Sequence, residues 1–205
     1  MGRPAKARDR LLDAAQDLLL ARGYAATPLD RVCEAAGVSK GAIFYHFETK
    51  EDLVEAAVER FFQRLVSDGQ DAVEASGAAT ATARLFAYID AVAALTRTSA
   101  LARGCLLGMV TMECAETNPP LADAAARAFD EWERSLASLI QEAASERGVE
   151  ADATGLARAF LAAVEGGLLL DRHGDGHAHQ GVEAALDHFR RYLTLVLRVG
   201  RETSA

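Results

Sequence analysis

Apolar residues recur at helical spacing along almost the whole chain, and no segment alternates with the period of two that marks a strand. In the first helix Leu11, Ala15, Leu18 and Leu19 fall at i, i+4, i+7 and i+8, Arg22 closes the last turn, and Gly23 ends it. Thr27-Pro28-Leu29-Asp30 reads as a helix start, with a threonine N-cap, proline at N1 and an acid at N3. That second helix runs to about Ala36 and stops at Gly37, and a third runs from near Ser39 to near His46. A fourth opens at Thr49, with Asp52 as a capping-box acid, and buries Leu53, Ala56, Ala57, Phe61 and Leu65. Beyond Gly69 the pattern predicts helices at about 79–97, 101–116, 120–147, 153–172 and 181–199. Asn118-Pro119-Pro120, Arg147-Gly148 and the loop at 173–181 separate them. The expectation is an all-α chain of about nine helices, with a three-helix head over 1–48 on a larger helical-bundle body over 49–205.

The stretch TPLDRVCEAAGVSKGAIFYHF has helix-turn-helix grammar: a helix of about eight residues, a glycine turn and a second short helix. Val32, Ala36 and Val38 face inward to hold the two helices crossed, and Ile43 and Phe47 anchor the third helix. Cys33 reads as a small core residue. Ser39, Lys40, Gly41, Ala42, Phe44, Tyr45 and His46 are left on the exposed rim, where a short helix presents its N-terminal amides to phosphate. Charge supports this reading mildly. The chain is net −8, but residues 1–50 carry eight basic and six acidic residues, so a basic head precedes an acidic remainder.

The run GVSKGAIFYHFETKEDLVEAAVERF, extended back through ARDRLLDAAQDLLLARGYAATPLDRVCEAAG, resembles the N-terminal signature of TetR-type helix-turn-helix transcriptional regulators over about residues 8–62. RGCLLGMVTMECAETNPPL looks like the sixth helix of AcrR- and NemR-like members. The resemblance implies a homodimeric repressor of palindromic double-stranded DNA, with a helical domain that binds a small-molecule inducer. Carried over by position, Ser39, Lys40, Gly41 and Ala42 lie at the groove-facing start of the third helix, and Tyr45 and His46 lie at its rim. Thr27 caps the second helix toward the DNA backbone, and Lys50 opens the fourth helix. Phe44 departs from the tyrosine of many members and lacks its hydroxyl. Gly41 and Ala42 offer no side-chain hydrogen bonds, so readout leans on close approach, thymine-methyl contact and DNA shape. Tyr45 and His46 also fit a second role, covering the joint with the first helix.

In the body, Phe86, Tyr88, Cys105, Met109, Met112, Glu113, Phe129 and Trp132 are the candidate lining of a mainly apolar ligand pocket, and each also suits a core. Glu113 stands out in a nearly apolar helix and is expected to pair with an arginine such as Arg84 or Arg103. Cys105 matches the cysteine that some relatives use for electrophile sensing, which leaves thiol sensing as an alternative signal. Leu156, Phe160, Ala163 and Gly167 form one stripe, and Leu186, Phe189, Leu193 and Val196 form another. Two such helices from each subunit would close a four-helix dimer bundle.

Several classes drop out. Three cysteines, Cys33, Cys105 and Cys114, make no disulfide scaffold and have no zinc spacing. His173, His177 and His179, with Asp171 and Asp175, fit no standard metal motif and read as a polar linker, so no metal or cofactor is expected. No nucleophile-base set supports an enzyme. No uninterrupted apolar run approaches the roughly 20 residues of a membrane span, and no secretory signal is visible, which points to the cytoplasm. A DNA-bound structural or cell-division factor on the same fold stands as the remaining alternative; a basic surface outside the head would favour it.

Overall fold

The computed structural model describes residues 3–97, 101–172 and 180–200. Among these residues there are nine helices and no strand: α1 (Arg3–Arg22), α2 (Leu29–Ala36), α3 (Lys40–His46), α4 (Lys50–Ala75), α5 (Ala81–Arg97), α6 (Leu106–Cys114), α7 (Pro119–Arg147), α8 (Ala153–Asp171) and α9 (Gln180–Val196). The chain divides into two compact units, residues 1–65 with 105–129 and residues 66–104 with 130–205. These units cut the chain differently from the expected division after residue 48. The first part of α4, all of α6 and the start of α7 group with α1–α3.

In the first unit α1 packs on α2, α3 and α6. Leu11, Leu12 and Leu19 of α1 are buried, as are Val32, Ile43, Phe47, Leu53 and Phe61. Gly37 makes the turn at φ 62°, its N–H reaching back to the end of α2, and Val38 N–H donates to the Cys33 carbonyl at 3.0 Å. That double bond closes α2 with a left-handed residue that glycine adopts without steric cost. Thr49 and Asp52 form the expected capping box, each side chain accepting from the other's N–H at 2.9 and 3.0 Å.

Two local expectations fail. Pro28 rather than Thr27 occupies the N-cap of α2. Thr27 is only 2% exposed, and its hydroxyl donates to the Gly23 carbonyl at 2.7 Å. Its oxygen is therefore spent on the α1–α2 turn and is not presented to a DNA backbone. The sixth helix starts at Leu106 rather than 101, because Gly104 sits at φ 112° and Cys105 is extended at the N-cap. A helix cannot run through such a residue.

In the second unit α9 packs on α8 and α5. Leu85, Ile89, Leu136, Ile140, Phe160, Val164, Leu186 and Leu193 are buried there. The end of α7 ties down two other helices. Glu146 accepts from the N–H groups of Ala81 and Thr82 at the start of α5, and Arg147 donates to the Leu197 and Arg198 carbonyls after α9. Asp171 accepts from the Gly181 and Val182 amides, a cap for α9 that the sequence pattern did not suggest. His173, Asp175, His177 and His179 lie outside the described residues.

The stripes expected to form a dimer interface are instead the seam between α8 and α9 of one chain. Leu156, Phe160, Gly167, Leu186, Phe189 and Leu193 are buried there, and Ala163 and Val196 are half-buried. The Phe160 and Phe189 rings meet edge to face at 5.3 Å. Two neighbouring helices of one chain satisfy an apolar stripe as well as a second subunit does, and periodicity alone does not separate the cases. The outer faces of the same helices expose Leu169, Leu170, Tyr192 and Leu195. By length and composition α8 is apolar enough to cross a membrane, but it carries Arg158 and Glu165 and buries its inner face as a core helix does.

Tyr88 and Trp132 are both buried, and Trp132 Nε1 donates to the Tyr88 hydroxyl. Gly69, inside α4, leaves room for the Tyr88 ring, whose Cε2 would lie 3.2 Å from any Cβ there. Burial pushes the Tyr88 hydroxyl from 10.0 up to about 12. A group whose folded pKa is raised stabilises the fold fully below its unfolded pKa and loses that contribution as pH rises through the folded value. Stability should therefore fall by about 2–3 kcal/mol between pH 10 and 12. Tyr88→Phe should be less stable at pH 8, because Trp132 loses its acceptor, yet should lack this alkaline component. Urea melts of both proteins from pH 8 to 12 measure the difference, and parallel curves would exclude Tyr88 as its source.

Candidate nucleic-acid interface

Most of α3 lies on the exposed surface of the first unit. Ser39 caps this helix, its Oγ accepting from Ala42 N–H at 3.3 Å. Ile43 is buried and Phe47 follows it into the core, where the Arg8 guanidinium lies 5.5 Å from the Phe47 ring centre. These two anchors turn Lys40, Gly41, Phe44 and Tyr45 outward, and Tyr45 reaches 76% exposure. The His46 ring is half-buried and meets Tyr45 edge-on at 4.9 Å. Ala42 is half-buried, and a Cβ at Gly41 would meet little besides Ser39 Oγ. The backbone of α3 is thus open to close approach by a flat or grooved partner. Seven of the nine expected contact residues, Ser39 to Ala42 and Phe44 to His46, come together on this short helix and its cap.

The two lysines stand in different environments. Lys40 pairs with Asp30 of α2 at 2.7 Å, with both side chains largely exposed, and that bond holds its pKa above the ordinary lysine value. Lys50 is half-buried. Its ammonium donates to the Tyr24 carbonyl at 2.6 Å and lies 3.8 Å from the centre of the Tyr24 ring. Desolvation lowers its pKa. The structure therefore draws Lys50 into the joint between α1 and α4, where the expectation had it facing a phosphate.

That joint contains residues that sequence reasoning passed over. The Tyr24 hydroxyl donates to Glu51 Oε1 at 2.6 Å, and Asn118 Nδ2 reaches both of those oxygens at 3.3 Å. Burial and the Glu51 carboxylate push Tyr24 up to about 12, and the bond from Tyr24 pulls Glu51 below the usual carboxylate range. Glu113, at the end of α6, accepts from the Tyr24 N–H and so finds a backbone amide rather than the expected arginine. Gly23, at φ 81°, is needed beside it, because a Cβ there would overlap the Glu113 carboxylate. Lower on the same pair of helices, Arg60 of α4 donates to the Asp9 carbonyl at 2.8 Å and to Asp13 at 2.7 Å. These partners lie 26 to 94 positions apart, too far for any local motif to announce them.

The expected ligand-site residues are divided between the two units. Phe86, Tyr88 and Trp132 fall in the second unit, and Cys105, Met109, Met112, Glu113 and Phe129 fall in the first. Met112 is 78% exposed, and Glu113 is held on Tyr24. Cys105 is buried at the N-cap of α6, and Met109 and Phe129 are half-buried. A groove of about 360 Å³ in the second unit runs instead between α5 and α9, floored by Ile89 and Leu186. It is bounded by the Asp90–Arg190 and Arg97–Glu183 ion pairs.

Comparison with known proteins accounts for this arrangement. Residues 11–57 match the model of bacterial regulatory proteins of the tetR family, and residues 81–193 match a tetracyclin repressor-like C-terminal domain. The transcriptional regulator AcuR of Cereibacter sphaeroides is 31% identical over 179 residues, covering 82% of this chain and 80% of its own. The HTH-type transcriptional regulator LmrA of Bacillus subtilis is 27% identical, with 80% and 85% of the two chains covered. The crystal structure of a TetR transcriptional regulator from Chloroflexus aurantiacus superposes with a TM-score of 0.81 at 28% identity, covering 95% of this chain and 97% of the other. With matched models over both its helix-turn-helix and its C-terminal helices, the chain belongs to the TetR family and is a DNA-binding transcriptional regulator.

Proposed function

We propose that the protein is a homodimeric, cytoplasmic repressor that binds a palindromic operator and leaves it when a small, mainly apolar inducer binds. The observation that carries the release step is the Glu113–Tyr24 contact, which fastens the end of α6 to the turn between α1 and α2. A ligand that prefers a shifted α6 changes the posture of α1 and, through it, of α3. It moves the equilibrium only by its difference in affinity for the two postures. Dimerisation is assigned to the outer faces of α8 and α9. Ala162, Gly166, Leu169 and Leu170 lie at i, i+4, i+7 and i+8, and His188, Tyr192 and Leu195 lie at i, i+4 and i+7, all away from the intrachain seam. A two-fold dimer on this surface would set two copies of α3 in successive major grooves, roughly 34–36 Å apart.

Selection from a random DNA pool should return an inverted repeat. A screen of hydrophobic compounds, read by Trp132 fluorescence and operator release together, should then yield ligands that do both. Glu113→Ala should keep the fluorescence response and lose most of the release. Pools without an inverted repeat, or a Glu113→Ala protein that releases DNA normally, would count against the proposal. A second reading, thiol-based sensing, has one observation in its favour: Cys105 sits at the N-cap of α6, the helix that Glu113 fastens to Tyr24. Full loss of response in Cys105→Ser alone would select it.

A further inference from the structure

The Lys40–Asp30 pair has no evident structural purpose. Both side chains are about two-thirds exposed, and exposed ion pairs contribute little to stability. The pair is nevertheless placed where it bears on DNA. Lys40 is the first residue of α3, beside the Ser39 cap, and Gly41 and Ala42 behind it carry no hydrogen-bonding side chain. Lys40 is therefore the long cationic donor at the groove-facing end of that helix, and its ammonium is already held at 2.7 Å by a carboxylate from α2. For a phosphate to share the Lys40 ammonium, it must approach the Asp30 carboxylate, a like charge. A base-edge acceptor meets no such obstacle, because an ammonium has three N–H donors and Asp30 uses one.

Resting on the family's DNA binding, we propose that Asp30 is a specificity-determining residue: it withholds Lys40 from phosphate contact, so that Lys40 contributes only where a guanine O6 or N7 can share its ammonium. Asp30 costs the protein affinity for arbitrary DNA and returns discrimination. Guanine presents two acceptors in the major groove, the usual partner of a lysine or arginine there. Phosphate contacts carry no sequence information, so a lysine barred from them raises the ratio of operator to random binding.

The test uses the full-length protein on a defined 30-base-pair duplex of arbitrary sequence, titrated over a range of salt concentrations. Asp30→Asn should tighten binding roughly three- to tenfold and steepen the slope by about 0.9, the signature of one added phosphate. Asp30→Asn with Lys40→Met should return to the wild-type slope, which shows that the gain runs through Lys40. Parallel selections from a random pool should show guanine enriched at one position per half-site for wild type and lost for Lys40→Met. A double variant, Asp30→Asn with Lys40→Met, whose slope on the arbitrary duplex falls about 0.9 below that of wild type would show that Lys40 contacts phosphate in wild type and overturn the proposal. So would an Asp30→Asn gain that survives in the double variant, since Asp30 would then act only as a repulsive charge. Because both exchanges sit on the exposed surface, unchanged circular dichroism and thermal melting are expected for all three variants. Failure of wild type itself to bind the duplex at low salt would refute DNA binding, a result separable from either outcome above.

Discussion

Leu170→Asp combined with Leu195→Asp is expected to produce a folded monomer whose affinity for a palindromic duplex is lower by about two orders of magnitude or more. The two side chains are 70% and 76% exposed, so carboxylates there cost little within one chain. Across a two-fold interface the same carboxylates would be buried near their own copies, without partners. Each half-site contact alone is weak, and the second becomes effectively intramolecular only when the subunits are joined. Sedimentation gives the mass, and circular dichroism confirms that the helices remain. A variant that stays dimeric would move the interface off these outer faces. Leu193→Asp is the instructive contrast: its side chain is fully buried between α8 and α9, and a charge there should unfold the second unit instead.

The next largest effect is expected from a single methyl group. Gly167 lies under the start of α9, and a Cβ on it would overlap the Val182 backbone and come within 2.8 Å of Val182 Cβ. A helix backbone cannot swing aside as a long side chain does, so Gly167→Ala should force α8 and α9 apart. A loss of about 3 kcal/mol is expected, at the upper end for overpacked cores. The neighbouring Gly166 faces open space. There the same exchange should stabilise α8 by up to about 1 kcal/mol, from helix propensity alone. Both exchanges are best measured by urea melts in the monomeric double variant, which separates intrachain packing from association. Equal effects at the two glycines would contradict the packing described.

These cases also show what the chain discloses before its structure is known. Helix type and the turn chemistry of the head were readable, because Gly37, the Thr49–Asp52 box and the inward Ile43 and Phe47 are local signals. The α3 rim followed from the same periodicity. What failed was partner identity. The stripe from Leu156 to Gly167 reads as an apolar face suited to a second subunit, but an apolar face does not say which surface covers it. Glu113 stands out as an odd carboxylate in an apolar helix, but its partner is an amide 89 positions away. Lys50 stands out by its place in the motif, but its burial against Tyr24 depends on a contact 26 positions away. Thr27-Pro28 reads as a cap pattern, but α2 starts one residue later and the Thr27 hydroxyl donates back to the Gly23 carbonyl. In each case the type of residue was legible, and the long-range contact that uses it was not.

The Arg60, Lys50 and Tyr24 contacts bear on the engineering of hybrid regulators. A recombination point at residue 48, where the helix-turn-helix ends, would part Asp13 from Arg60 and the Tyr24 carbonyl from Lys50. It would also strip the Tyr24 amide of Glu113. A transplanted head would arrive with three unsatisfied anchors unless the host supplied equivalents. The portable module is discontinuous, residues 1–65 together with 105–129, and a chimera that carries both segments keeps every one of these bonds.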